Sequence, residues 1–131
     1  MKTRNQTFPF VAIYSSLTEV LTGRRLSSLG DSFVNFVYSL ALSNKKGRPV
    51  GVKVKSSVLA EALKRAGLRS LVPSSVSSHT LADAAEALLL YGWVENCITL
   101  KDYVIMLEKN EDPVEGFRVL LQRIRSQIKI P

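Results

Sequence analysis

The chain is poor in the residues that cross-link or ligate. It has one cysteine, Cys97, and one histidine, His79. A lone cysteine forbids an intrachain disulfide and is the usage expected of a reducing, cytoplasmic compartment. With a single histidine beside it, zinc fingers and ribbons built from Cys and His are excluded. Long apolar runs are missing as well: no 18 consecutive apolar residues occur, so no segment reads as a membrane span. The basic start, Met1-Lys2-Thr3-Arg4, leads into a stretch broken by Pro9, Ser15, Ser16, Thr18 and Glu19. That stretch has neither the apolar core nor the small-residue cleavage site of a signal peptide.

What is present suits an ordinary globular domain. The 131 residues are 46% hydrophobic and 22% charged, and a single domain over 1–131 is expected. A chain of this length buries about two-thirds of its unfolded surface and needs no disulfide or metal to fold.

Charge is unevenly spread. The net charge is +7, from 18 Lys and Arg against 11 Asp and Glu, and residues 44–70 alone carry an excess equal to that total. A concentrated basic stretch points to a polyanion. Nucleic acid suits it better than a membrane surface, because no basic amphipathic helix with Trp and Phe on its apolar face is present. The candidate contacts are Lys45, Lys46, Arg48, Lys53 and Lys55, with Arg24 and Arg25 as a second cluster. An ordinary solvated basic surface is the alternative.

Periodicity predicts an all-α fold of six or seven helices. Thr7–Leu21 places Phe10, Ile13, Tyr14, Leu17, Val20 and Leu21 at three- and four-residue spacings, and Gly23 ends the pattern. A basic turn, Arg24-Arg25-Leu26, leads to Gly30 and a helix over Asp31–Leu42. Asn44–Pro49 has turn chemistry. Val50–Val54 alternates like a short strand that has nothing to pair with. Ser57–Ala66 is a helix closed by Gly67, and Leu71–Ser78 reads as a loop. Leu81–Val94 is apolar on nearly all sides and should be a central buried helix. Thr99–Lys109 and Pro113–Ile128 complete the set, with Pro113 at a first helical position.

Two places carry charge where a core is expected. In Leu81–Val94 the charged side chains are Asp83 and Glu86, at i and i+3 on one helix face. Buried carboxylates are costly unless a cation meets them, and a hard divalent ion is one candidate. A capping box from Thr80 to Asp83 explains Asp83 equally well but leaves Glu86 unexplained. The second place is Leu29-Gly30-Asp31-Ser32, which alone reads as a helix cap. His79 and Cys97 read as a surface or capping residue and a small buried hydrophobe.

Taken together, the two places carry a resemblance. Arg25-Leu26-Ser27-Ser28-Leu29-Gly30-Asp31-Ser32-Phe33-Val34-Asn35 resembles the signature motif of the ribonuclease III family, roughly E-R-L-E-F-L-G-D-S-V-L-E. Asp83-Ala84-Ala85-Glu86-Ala87-Leu88 is similar to the family's second motif, D-x-x-E-A-L. Lys55-Ser56-Ser57-Val58-Leu59, between them, is compatible with its middle helix. The resemblance spans residues 24–94. It implies an all-α endonuclease domain that cuts double-stranded or structured RNA with Mg²⁺, Mn²⁺ being a possible substitute, and that works as a homodimer. It also implies that Asp31, Asp83 and Glu86 are catalytic and metal-binding, and that the dimer is built partly through Phe33, Phe36 or Val37. The family's acid four residues before the motif Asp falls on Ser27, and an earlier one on Arg24. The acid four residues after it falls on Asn35, and an aromatic that plugs the partner subunit falls on Ser28. Compact family members without a separate double-stranded-RNA-binding domain also lack the first of these acids and cleave, and the chain is similar to them. The alternative is a catalytically inactive module of the same fold that binds RNA or serves assembly.

Overall fold

The computed structural model describes residues 7–73 and 77–131, and the loop expected over 71–78 lies partly outside them. It is an all-α fold of six α-helices, and no strand occurs among the described residues. A 3₁₀ turn at Pro9–Ile13 precedes α1 (Leu17–Leu21) and α2 (Arg24–Lys46). Then come α3 (Ser56–Arg65), a second 3₁₀ turn (Arg69–Leu71), α4 (Ser78–Val94), α5 (Leu100–Lys109) and α6 (Pro113–Gln127).

Helix α4 is the centre, packed against α1, α2, α3 and α6. Its apolar surface on all sides is what that position demands, and Leu88 and Leu89 are fully buried. Buried apolar side chains from every helix join it in one continuous cluster. On one flank Phe33 of α2 stacks on Trp93 of α4, ring centroids 5.1 Å apart, and meets the ring of Tyr103 of α5 edge-on at 5.2 Å. This aromatic corner locks α2 to the layer behind it.

Several element boundaries differ from the sequence expectation, each for a physical reason. Thr7–Leu21 is not one helix, because a serine pair restarts the chain. Ser16 Oγ accepts from the Glu19 amide, while the Glu19 carboxylate accepts from the Ser15 amide and hydroxyl. Such local side-chain bonds compete with helix continuation and cap a new helix.

Helix α2 corrects the expectation in the other direction. It runs unbroken for 23 residues, through the proposed turn at Arg24–Leu26, through Gly30 and on to Lys46. Gly30 is a packing residue there. A Cβ on it would lie 2.3 Å from the carbonyl oxygen of Glu86 in α4, so the backbones of α2 and α4 touch at this point. Gly47 ends the helix in the left-handed conformation, φ 70°, and Lys45 and Lys46 occupy its last turn instead of a loop.

The Val50–Val54 segment pairs with a helix in place of a strand. Ser43 Oγ accepts from the Val50 amide at 2.9 Å and donates to its carbonyl at 3.2 Å. Ser39 does the same with Val52, at 2.9 and 3.1 Å. The Val54 amide donates to Asn35 Oδ1 at 2.8 Å. Every fourth residue of α2 thus meets every second residue of an antiparallel segment.

Candidate active site

The crossing of α2 and α4 brings both charged motifs together. At Gly30 the helices touch, and the next residue, Asp31, stands exposed at the edge of the contact. On α4 the carbonyl touching Gly30 belongs to Glu86, a residue 7% exposed. One turn earlier Asp83 is exposed. Two solvent-facing aspartates therefore flank a buried glutamate.

The electrostatics follow from that placement. Burial pushes the Glu86 carboxyl up to about pH 8 from an ordinary value of 4.5. A hydrogen bond with Asp31 and repulsion from Asp31 and Asp83 add to the shift. The direction of the shift favours the protonated form of Glu86 near neutral pH. No ion pair among the described residues involves Asp31, Asp83 or Glu86. The acids form a contacting pair, Asp31–Glu86, with Asp83 acting on it by charge. Among the described residues no three His, Cys, Asp or Glu side chains gather into a group that could hold a metal ion.

The structure removes the capping-box reading of Asp83. Helix α4 begins three residues earlier than the capping box requires, with Ser77 as N-cap accepting from the Thr80 amide. Thr80 is inside the helix and Asp83 is in its second turn, so Asp83 caps nothing. His79 lies in the first turn, exposed.

The remaining motif positions have structural partners. Ser27 is 8% exposed, and its hydroxyl donates to the Arg24 carbonyl at 2.9 Å, an in-helix bond. Asn35 Nδ2 donates to Asp31 Oδ1 at 3.2 Å. Sequence reading found the acids but missed this amide as a neighbour of Asp31, although the spacing of four on one helix is its signal.

The basic residues expected to meet RNA are all exposed. Arg24 and Arg25 open α2, exposed, where the positive end of the helix dipole disfavours them. Lys45, Lys46, Arg48, Lys53 and Lys55 are exposed. The Val54–Asn35–Asp31 chain of hydrogen bonds ties the segment that carries Lys53 and Lys55 to α2 one turn from Asp31.

A family model described as Ribonuclease III matches residues 24–124. The chain belongs to the ribonuclease III family. That span takes in both acidic motifs and every helix from α2 to most of α6. No curated protein matches the chain. Membership ties the chain to RNA endonuclease-related function and to a family that is generally Mg²⁺-dependent. Among the described residues no helix is long and apolar enough to cross a membrane.

Proposed function

We propose that this ribonuclease III-family domain, acting as one unit over residues 1–131, is an endoribonuclease for double-stranded or structured RNA, dependent on Mg²⁺ or Mn²⁺. The observation that carries this reading is Glu86: a buried carboxylate against two aspartates, with no cation of the described protein to neutralise it. Mg²⁺ favours one or two carboxylates, several waters and a substrate phosphate over a closed protein cage, and an Asp31–Glu86 pair fits that donor set. Asp31 and Glu86 hold the ion, and Asp83 serves as a further ligand or as an orienting charge. When bound, Mg²⁺ supplies Lewis acidity toward the scissile phosphate and makes water nucleophilic near neutral pH. To hold the ion Glu86 would have to act as a carboxylate, so its affinity would rise with pH. Arg24, Arg25, Lys45, Lys46, Arg48, Lys53 and Lys55 hold duplex phosphates, which read shape more than sequence.

A homodimer suits the apolar surface beside the site. Leu29 and Phe36 are 47% and 55% exposed on α2, about two turns apart, and Phe10 is 44% exposed next to them. They rim a groove floored by Phe33, Leu90 and Trp93. A second copy presenting the same stripe buries these side chains in a self-complementary contact. Val37, expected there from sequence, is 1% exposed and belongs to the core, and the face of Phe33 is already stacked on Trp93. Sedimentation at micromolar concentration should give a dimer that F36K converts to monomer.

The catalytically inactive RNA-binding reading has its own support. Ser27 and Asn35, where the family motif has acids, are built into the scaffold by hydrogen bonds. Incubation with long duplex RNA separates the two. Cutting that needs Mg²⁺ and is lost in D31N and E86Q supports the enzyme; duplex binding without cutting at any metal concentration selects the inactive module.

A further inference from the structure

We propose that Asn35 is a positioning residue that ties the basic segment to the acidic pair and fixes the Asp31 carboxylate, an inference that takes the metal-site reading above as its starting point. Its side-chain amide faces two ways. Oδ1 accepts from the Val54 amide at 2.8 Å, and Nδ2 donates to Asp31 Oδ1 at 3.2 Å. This orientation is chemically forced, because the flipped amide would set oxygen against carboxylate and N–H against N–H.

The carboxamide carries a donor and an acceptor on one planar group and so holds both partners at once. Aspartate at 35 keeps the acceptor for Val54 but loses the donor and brings a third negative charge beside Asp31. Alanine loses both bonds. Asn35 also stands apart from the other two residues that hold the same segment: Ser39 and Ser43 bond only to Val52 and Val50, and neither touches an acid. The rung at Asn35 is therefore the one through which a load on Lys53 and Lys55, either side of Val54, reaches Asp31. One neutral donor orients that carboxylate, leaving its remaining lone pairs toward Glu86 and a cation. Partners that orient a ligating carboxylate typically govern metal affinity or activity by about 10–100-fold.

The test compares wild type, N35A, N35D and S39A in three measurements: amide exchange at Val52 and Val54, Mg²⁺ affinity followed by NMR at residues 31 and 86, and cleavage of duplex RNA. N35A should speed exchange at Val54 and weaken Mg²⁺ binding by about 10–100-fold, with a matching loss of kcat. N35D should keep Val54 protected while cutting stays below wild type, and S39A should free Val52 alone with metal affinity and cutting unchanged. Wild-type Mg²⁺ affinity in N35A, an equal loss in S39A, or faster cutting in N35D each overturns the inference. The nuclease reading fails separately: a wild type that binds Mg²⁺ and loses it in N35A, yet never cuts, overturns the activity and keeps the positioning role. A wild type that binds no Mg²⁺ overturns both.

Discussion

The α3–α6 and α2–α4 crossings each carry a glutamate, and they treat it in opposite ways. Where α3 meets α6, Glu115 sits between Arg118 at 2.9 Å and Arg65 at 3.4 Å, and Arg65 also holds Glu61 at 3.1 Å. The Arg118 guanidinium, with Arg65 behind it, draws the Glu115 carboxyl below its usual range. Where α2 meets α4, Glu86 is buried against two aspartates and is pushed up to about 8. A chain with 18 Lys and Arg has cations to spare. One crossing is neutralised as a scaffold would be; the other is left short of positive charge. The difference is the one the proposed metal site requires: acids at α2–α4 with no ion-pair partner among the described residues.

The comparison breaks most severely at the point of closest approach. Gly30→Ala drives a Cβ to 2.3 Å from the Glu86 carbonyl and must separate two backbones, so it should cost about 3 kcal/mol, the upper end for overpacking. Gly51 has open space around it, and G51A should leave the melting temperature almost unmoved. A G30A protein as stable as wild type means that the helices do not touch there.

Glu86→Gln probes the charge itself. Below about pH 4.5 Glu86 is protonated whether the chain is folded or not. As pH rises from there toward 8, the unfolded chain releases the proton and the folded protein keeps it, so stability falls, by up to about 1 kcal/mol per pH unit. Above 8 the loss is complete. The substitution should flatten that slope and leave the metal-free protein as stable or more so at pH 8. Mg²⁺ at a hundredfold excess over its Kd should stabilise wild type by about 2.7 kcal/mol, and E86Q should lose most of this gain. Melting curves with and without millimolar Mg²⁺ measure both. A Glu86 held by an arginine gives the reverse, a loss of roughly 3–5 kcal/mol on substitution and no response to metal.

The smallest effect belongs to the neutralised crossing. Glu115 and its arginines are solvent-exposed or nearly so, and water screens such pairs. E115Q should barely shift the melting temperature and should leave the Mg²⁺ response of the protein intact. A large shift there erases the contrast between the two crossings.

Much of this architecture is legible in the sequence, because helix starts are local chemistry. Helices α5 and α6 begin within one residue of the starts that periodicity sets, and Pro113 takes the first position of its helix. The i, i+3 spacing of Asp83 and Glu86 on one helix is likewise legible, because α4 runs unbroken through both. What escapes is set by partners distant in the chain. Gly30 looks like a turn until α4 lies against it. Ser39, Ser43 and Asn35 look like polar residues on a solvated helix face until the Val50–Val54 segment folds back over them. Ser77 competes with Thr80 as a cap, and the start of α4 shows that the earlier hydroxyl wins. Each of these outcomes depends on tertiary contact that no local rule contains.

The pairing of α2 with Val50–Val54 works as a vernier. Four residues of helix advance about 6 Å, and two of extended chain about 6.6 Å. The two scales drift by about half an ångström per rung, so three rungs stay within hydrogen-bond tolerance and a long series would not. Inserting or deleting one residue in the segment turns the amides of Val50, Val52 and Val54 away from α2 and presents those of their neighbours. The ladder thus acts as a length gauge, setting the height of Lys53 and Lys55 above Asp31 by counting residues.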